Sequence, residues 1–147
     1  MFEITTDGPV VKIITKKATV NISSEAGEIE AGLTVGIIKG AGEFEIGEMT
    51  IIGIAVGESV LYTVEDGGIR IGVSGEIETQ LDDMGPIDIL ATQSVKAIKE
   101  VGPKIAVATT NAKVIADEMH VELKYEKRLK IKSEASLPAT LEVYQLG

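Results

Sequence analysis

Hydrophobic and polar residues alternate in short stretches along the first half of the chain, and turns that are mostly glycine-containing separate these stretches. Runs of β-branched residues with a period of two predict strands. The turns at residues 16–17, 47–48, 57–58 and 66–68 have the composition of hairpin connections. The first half is therefore predicted to be an antiparallel meander, with strands over residues 10–15, 19–22, 34–38, 43–46, 49–56, 59–64 and 69–73.

The pattern changes after residue 85, where apolar positions begin to recur at helical spacing. Residues 87–90 predict a strand, and Val95, Ile98 and Val101 then form one face of a helix over residues 92–101. Gly102 and Pro103 end that pattern.

A second strand and helix follow the first pair. Residues 105–108 predict a buried strand, Asn111 a helix N-cap, and Val114, Ile115 and Met119 the apolar side of a short helix. Two such units in succession imply parallel strands joined by a right-handed crossover. The remaining predicted strands cover residues 121–123, 128–131 and 140–144.

The chain is acidic and contains no cysteine. Its 147 residues have a formal charge of −9, which opposes binding to nucleic-acid phosphates or anionic lipid, because the field of the whole molecule repels them. The absence of cysteine excludes disulfides, thiolate metal ligands and cysteine nucleophiles. Without a recognisable leader or an apolar run of membrane length, we expect one cytoplasmic domain over residues 1–147 and no membrane partner.

Four glycine-containing motifs follow one another along the chain: GAGEFEI at residues 40–46, IRIGVSG at 69–75, GPIDIL at 85–90 and GPKIAVA at 102–108. In this order they are similar to successive landmarks of small metallo-β-lactamase-fold hydrolases, in particular the lactonase-like branch. The resemblance extends from about Val10 to the end of the chain. It implies a β-rich α/β fold, a reduced metallo-β-lactamase-like sandwich with an antiparallel N-terminal meander and C-terminal βα units.

The metal ligands of that family have no counterparts in this sequence. The family holds one or two divalent ions with a His-x-His-x-Asp-His loop, a later His, an Asp and a final His. The loop should lie within residues 23–33, a short segment without His or Asp. The resemblance therefore implies a vestigial site with no catalytic residue, metal or cofactor. Glu76 stands for the bridging Asp and Thr110 for a strand-end His, and the candidate positions are Gly42, Glu43, Gly75, Glu76, Thr110 and Asn111.

Other groups that could carry chemistry have simpler structural explanations. His120, the single imidazole, follows the second helix, where a cation complements the helix dipole. No Gly-x-Ser-x-Gly elbow is present, and Ser74 is a poor substitute for one. Residues 40–42 form either an anion cradle or a tight turn. The acidic run is either a weak site for a hard cation or a solvated loop, and it comprises Glu76, Glu78, Asp82, Asp83 and Asp88.

One basic patch opposes the overall acidity. It holds five of the chain's fourteen basic residues in nine positions, with only Tyr125 as an interleaved aromatic. Lysines on an exposed edge strand guard against edge-to-edge aggregation, whereas nucleic-acid binders usually add aromatic residues to such a patch. The patch comprises Lys124, Lys127, Arg128, Lys130 and Lys132.

Three functional hypotheses follow from these observations. The first is a non-catalytic, homo-oligomeric pseudoenzyme that acts by binding or as a scaffold, because lost helices should expose apolar sheet surface such as residues 51–56. The second is a metal-dependent lactone or phosphodiester hydrolase, with a site rebuilt from Glu76, Asp88 and His120. The third is a nucleic-acid-associated module that uses the basic patch. The sequence identifies no small-molecule ligand.

Overall fold

The strands of the protein form two sheets that pack face to face. The computed structural model describes residues 1–32 and 36–147. In that part of the chain, two α-helices and two short 3₁₀ helices, Leu81–Met84 and Glu134–Ser136, accompany the sheets. The strands in chain order are β1 (Phe2–Asp7), β2 (Val10–Ile14), β3 (Thr19–Ser23), β4 (Glu28–Glu30), β5 (Ile37–Lys39), β6 (Gly42–Ile46), β7 (Met49–Val56), β8 (Ser59–Asp66), β9 (Ile69–Gly75), β10 (Ile89–Thr92), β11 (Ile105–Ala108), β12 (Leu123–Glu126), β13 (Leu129–Ile131) and β14 (Glu142–Leu146); the helices are α1 (Val95–Val101) and α2 (Ala112–Met119).

The strand order confirms the predicted division between an antiparallel first half and parallel βα units. In the described residues one sheet has the order β13-β1-β2-β3-β4-β5 and the other β12-β14-β11-β10-β9-β8-β7-β6. Successive strands from β1 to β5 and from β6 to β9 pair antiparallel. From β9 onward the eight-stranded sheet is parallel through β10, β11, β14 and β12. The predicted β-rich α/β fold is confirmed.

Two layers of apolar packing hold the molecule together. Alternate residues of both sheets, such as Ile13, Ile22, Ile51 and Ile71, fill the space between the sheets because side chains along a strand alternate between its faces. The opposite face of the eight-stranded sheet packs against the helices through residues such as Ile98. The described part of the chain is thus a three-layer arrangement, with both α-helices on the same side.

The outer face of the six-stranded sheet is polar, which corrects the expectation that missing helices leave apolar sheet surface uncovered there. Along β2, Val11 and Ile13 are buried while Lys12 is exposed. In β4 only Ile29 is buried, between Glu28 and Glu30. This alternation is typical of an antiparallel sheet with one solvated face, so this face needs no apolar cover.

The apolar run at residues 51–56 does not form one exposed surface either. Ile51 and Gly53 are buried, whereas Ile52, Ile54 and Val56 are half-buried on the helix side of β7. Burial alternates along this strand, so only the second set remains available to a partner.

Several element boundaries differ from the predictions. Two strands, β1 and β4, were not predicted, and β4 lies inside the segment interpreted as a shortened ligand loop. The strand predicted over residues 121–123 corresponds to β12, which ends three residues later than predicted. For the strand predicted over residues 34–38, positions 34–35 lie outside the described residues, and β5 begins at Ile37 and ends at Lys39.

Candidate functional site

Four neighbouring strands of the eight-stranded sheet end at the same edge with polar residues. Because β9, β10, β11 and β14 are parallel, their carboxyl ends lie side by side, which is where ligands bind in open α/β sheets. The ends of β1 and β3 in the other sheet contribute to the same region. We call this region the strand-end cleft, and its residues are Thr6, Asp7, Gly8, Ser24, Glu25, Gly75, Glu78, Thr92, Gln93, Ser94, Thr109, Thr110, Asn111 and Gln145.

One half of the strand-end cleft is an open cavity of about 360 Å³. The turn after β1 forms one wall with Thr6, Asp7 and Gly8, and the residues after β11 form the other with Thr110 and Asn111. These side chains offer hydroxyl, amide and carboxylate groups. The cavity could therefore accept hydrogen bonds from a small polar ligand and donate hydrogen bonds to it.

The other half of the strand-end cleft is closed by hydrogen bonds between its own side chains. Gln93 Nε2 donates to Glu25 Oε1 at 2.5 Å, which ties the end of β10 to the turn after β3 across the two sheets. Ser94 Oγ donates to Glu78 Oε2. Both carboxylates of this half therefore have partners that position them, and neither points freely into a ligand site.

The backbone at these strand ends is also fully engaged. Gln93 N donates to Gly75 O at 3.0 Å, and Thr109 N donates to Thr92 O at 3.1 Å. The Thr92 hydroxyl donates to Gly75 O at 3.3 Å and accepts from Ser94 N at 3.1 Å. A Cβ atom on Gly75 would lie 3.3 Å from Glu25 Oε1, so the two sheets approach closely at this point.

Two buried hydroxyl oxygens lack a hydrogen-bond partner among the described residues, Ser74 Oγ and Thr109 Oγ1. Thr109 also lines the open cavity. Ser74 is fully buried and alternates with Val73 along β9, so its side chain lies on the helix side of the sheet. The orphaned oxygen of Thr109 is a group that a ligand in the cavity could satisfy.

The structure brings four of the six predicted vestigial positions to this end of the molecule. Gly75 ends β9 and Glu76 follows it, while Thr110 and Asn111 follow β11 and line the cavity. Gly42 and Glu43 lie apart from these four residues. They belong to β6, three strands from β9, or about 14 Å at the usual spacing between strands.

The residues proposed for a rebuilt enzyme site do not converge. Asp88 precedes β10 and accepts a hydrogen bond from Arg70 N at 2.9 Å, whereas Glu76 follows the carboxyl end of β9. The four residues of β10 separate these ends of the sheet by about 13 Å. His120 lies beyond α2, which runs back from the strand-end cleft for about 12 Å.

His120 instead ends α2. Its φ is 58°, a left-handed conformation, and its N–H donates to Ala116 O and Asp117 O. Its side chain is exposed. The position is therefore a helix C-cap, as the structural interpretation of this residue predicted.

The residues of this region do not fit a zinc ion. Structural and catalytic zinc sites use three or four His, Cys, Asp or Glu ligands. Within residues 1–32 and 36–147 no three such side chains form a group that could hold a metal ion. The acidic run from Glu76 to Asp88 is divided, since Asp82 and Asp83 lie in a 3₁₀ helix and Glu78 binds Ser94.

The strand-end cleft also contains residues that the sequence analysis missed. Thr6, Glu25 and Gln93 come from separate strand ends, and their proximity depends on how the sheets pack. Ser94 carried a local signal, because it precedes the helical pattern of Val95 and Ile98. Its Oγ accepts from Ala97 N at 3.1 Å, the geometry of an N-cap.

The basic patch lies where β12 and β13 form edges of the two sheets in the described part of the chain. Lys124 Nζ lies 2.8 Å from Glu142 Oε2 and 5.9 Å from the centre of the Tyr144 ring, and Arg128 pairs with Glu3 at 2.8 Å. The hydrogen bond from Lys124 lowers the pKa of Glu142. Two of the five cations of the basic patch thus have anionic partners, which makes the patch less suited to binding nucleic acid.

An open cavity of about 630 Å³ lies beside the basic patch. Lys127, Arg128, Lys130 and Tyr144 line it together with Glu126 and Leu129. Tyr144 is a second aromatic at the patch, added by the pairing of β14 with β12. Glu126 places a negative charge among these cations, so the cavity is lined by charges of both signs.

Comparisons with known proteins identify the fold through structure alone. No family model matches the sequence, and no curated protein matches it. Four solved chains do match. One is a crystal structure from Thermotoga maritima, assigned to the Zn-dependent hydrolases of the metallo-β-lactamase superfamily, with a TM-score of 0.68 and 15% sequence identity. The alignment covers 99% of this chain and 100% of that chain. The chain therefore has a metallo-β-lactamase-like fold.

No helix in the described residues has the length and apolar character needed to cross a membrane.

Proposed function

We propose that this metallo-β-lactamase-like chain is non-catalytic and acts in the cytoplasm as a homo-oligomeric scaffold or binding protein. The main support comes from the strand-end cleft, where two carboxylates already have hydrogen-bond partners. Glu25 and Glu78 are held by Gln93 and Ser94, and the described residues offer no three-ligand group for a metal. The hydrogen bond from Gln93 to Glu25 joins the two sheets to each other.

Hydrolysis would need a group that generates a nucleophile at the strand-end cleft. Metal-bound hydroxide is the family's solution, and the residues here do not fit the metal. The lone imidazole, His120, is beyond the far end of α2, so it cannot act as a general base at the cleft. The described part of the site therefore offers neither a three-ligand metal group nor an imidazole base.

Binding remains compatible with the open half of the cleft. The cavity of about 360 Å³ is of the size that small-molecule pockets have. Its groups are a carboxylate, two amides and several hydroxyls, including the orphaned Thr109 Oγ1. These groups favour a small hydroxyl- or amide-bearing ligand over an apolar one.

The scaffold role draws support from the exposed edges and the half-buried apolar side chains. Ile52, Ile54 and Val56 on β7 are only partly covered by the helix layer. Each sheet also has two free edge strands in the described residues, and such edges are natural places for self-association.

Elemental mass spectrometry of protein purified without chelator tests the proposal, together with lactone and phosphodiester hydrolysis assays and light scattering. We expect less than stoichiometric zinc, manganese or iron, no turnover, and a mass above that of the monomer. The variant Glu25→Gln is compared with Glu65→Gln, which changes a carboxylate of the same type on β8.

Stoichiometric metal that is lost in Glu25→Gln and retained in Glu65→Gln would refute the non-catalytic assignment. It would place a metal at the strand-end cleft. A metal-free monomer at every concentration would remove the scaffold role and leave ligand binding as the function.

A further inference from the structure

The free edge of β12 is exposed along most of its length. In the described residues β12 ends the eight-stranded sheet and pairs only with β14. Lys124, Tyr125 and Glu126 are exposed, and Tyr125 is 66% exposed, a large value for an aromatic side chain. The outward backbone N–H and C=O groups of such a strand can pair with another strand.

The side chains of β12 alternate between two faces. Leu123 lies opposite Val143 and packs with the helix layer, so Tyr125 shares that face. Lys124 lies beside Tyr144 on the face toward the six-stranded sheet, and Glu126 shares it. The edge therefore carries a cation and an anion on one face, with an aromatic ring between them on the other.

Among the two-fold axes that pass through the three exposed residues of β12, which are Lys124, Tyr125 and Glu126, the charges select one register for antiparallel pairing with a second copy. A two-fold axis perpendicular to the sheet preserves the faces, so each residue must lie opposite one of the same face. An axis at Lys124 sets Lys124 opposite Lys124 and Glu122 opposite Glu126. An axis at Glu126 sets Glu126 opposite Glu126 and Lys124 opposite Arg128. Both arrangements place like charges together, which destabilises a strand pair.

An axis at Tyr125 gives the opposite result. Lys124 then lies opposite the partner's Glu126, and Glu126 lies opposite the partner's Lys124, so both pairs have unlike charges. Tyr125 lies opposite the partner's Tyr125 on the other face, and aromatic cross-strand pairs are favourable.

We propose that two copies of this chain associate through β12 about a two-fold axis at Tyr125, which joins their eight-stranded sheets into one continuous sheet. The inference rests on the proposed function for its premise of self-association, and it identifies the partner as a second copy and the site as this edge. Val114 on α2 is 55% exposed, and α2 packs beside β12, so the helix layers extend the contact.

The contact is small. A four-residue edge with part of one helix buries less than the roughly 800 Å² per partner of a standard stable interface. We therefore expect a concentration-dependent dimer, and the measurements must cover high protein concentrations.

Two charge-reversal variants test the register by analytical ultracentrifugation. Lys124→Glu and Glu126→Lys each create like charges at both symmetric contacts, so each should weaken the dimer by about tenfold or more. A mixture of the two variants has unlike charges at both contacts and should dimerise as wild type does. Circular dichroism checks the fold, since Lys124→Glu also removes the ion pair with Glu142.

Matched controls reverse exposed charges elsewhere. Lys12→Glu lies on the outer face of the six-stranded sheet, and Glu45→Lys lies on β6, the opposite edge of the eight-stranded sheet. Both should leave the dimer unchanged. A monomeric wild type, or a mixture that dimerises no better than either variant alone, would overturn the proposal.

A single cysteine provides an independent test because the chain has none. In the proposed register Tyr125→Cys lies opposite itself, so mild oxidation should cross-link it rapidly. Lys127→Cys, only two residues away, would lie about 13 Å from its own copy and should cross-link far more slowly. Equal rates for the two variants would contradict the register.

The outcomes separate this inference from the proposed function. A metal-loaded, hydrolytic protein that still cross-links through Tyr125→Cys would refute the non-catalytic function and retain the interface. If the protein is a metal-free oligomer and neither charge reversal weakens its association, the proposed function stands and the β12 interface is refuted.

Discussion

Gly53 in β7 lies directly against the largest buried side chain of the core. It pairs with Tyr62 of β8, and a Cβ atom at Gly53 would lie 2.9 Å from Tyr62 Cε1 and 3.1 Å from Val60 Cγ1. Tyr62 in turn donates through its hydroxyl to Gly40 O at 3.1 Å, where the chain crosses between the sheets. The missing side chain at Gly53 therefore gives Tyr62 the space to reach that turn.

The variant Gly53→Ala should lower the free energy of unfolding by about 1 to 3 kcal/mol, because overpacking a buried contact forces neighbouring groups to shift. Urea unfolding measures this change. The control Ala55→Ser alters an exposed position of the same strand and should change stability by less than about 0.5 kcal/mol. An unchanged midpoint for Gly53→Ala would show that the Tyr62 ring moves at little cost.

Burial raises the pKa of Tyr62 to about 12, with a smaller contribution from the Glu28 carboxylate. A tyrosine in the unfolded chain ionises near 10. The protonated hydroxyl therefore contributes stability that is complete below about pH 10 and is lost as the pH rises through about 12.

We expect alkaline unfolding to depend on this residue. Stability measured against pH should fall more steeply above pH 10 in wild type than in Tyr62→Phe, which has no hydroxyl to ionise. The difference in tyrosinate absorbance between wild type and the variant should show a titration with a midpoint near pH 12. A difference titration near 10 would mean that solvent reaches the Tyr62 hydroxyl.

At the scale of elements, the two α-helices begin in different ways. Ser94 caps α1 with an extended backbone, and its Oγ accepts from Ala97 N. Asn111 occupies the corresponding position of α2, as predicted, but its φ is 55° and its side chain makes no capping hydrogen bond. Residue type led us to predict the cap at Asn111 alone, whereas Ser94 is the position that uses its side chain for a cap.

Substitutions at the two positions should therefore have unequal effects. Ser94→Ala should destabilise the protein by about 1 kcal/mol through loss of the cap. Asn111→Gly should have no effect or a slight stabilising one, because glycine adopts a positive φ without strain. Thermal unfolding compares them, and an equal loss in both variants would contradict the difference in capping.

At the scale of the whole molecule, one layer of apolar side chains joins the two sheets. Phe2 and Ile4 of β1 share it with Leu146 of β14, so the two ends of the chain contribute to the same core. Neither sheet can bury its apolar face without the other. The polar outer face of the six-stranded sheet allows the arrangement to end there without a further helix layer.

We expect unfolding in urea to be one cooperative transition. Tyrosine fluorescence, dominated by the core and the β12 edge, and far-ultraviolet circular dichroism should give coincident curves with the same midpoint. Separate midpoints would show that residues 1–147 comprise more than one folding unit.

Local sequence determined much of the fold and little of the site. Strand alternation in β2, β3, β7 and β8 and the helical spacing around Val95 are short-range patterns, so they predicted the meander and the βα units. The strand β4 has only three residues, which is too short for a clear period. Glu25 and Gln93 lie 68 residues apart, and no local pattern relates two such positions.

The sequence by itself determined the antiparallel and parallel halves, the net negative charge and the content of one His and no Cys, because each depends on residue type and short-range spacing. Only the tertiary structure decided which strand ends meet, that Gly42 lies far from Gly75, and that the edge of β12 is free. Those features depend on the order of strands in the sheets, and burial between the sheets selects that order through contacts distant in sequence.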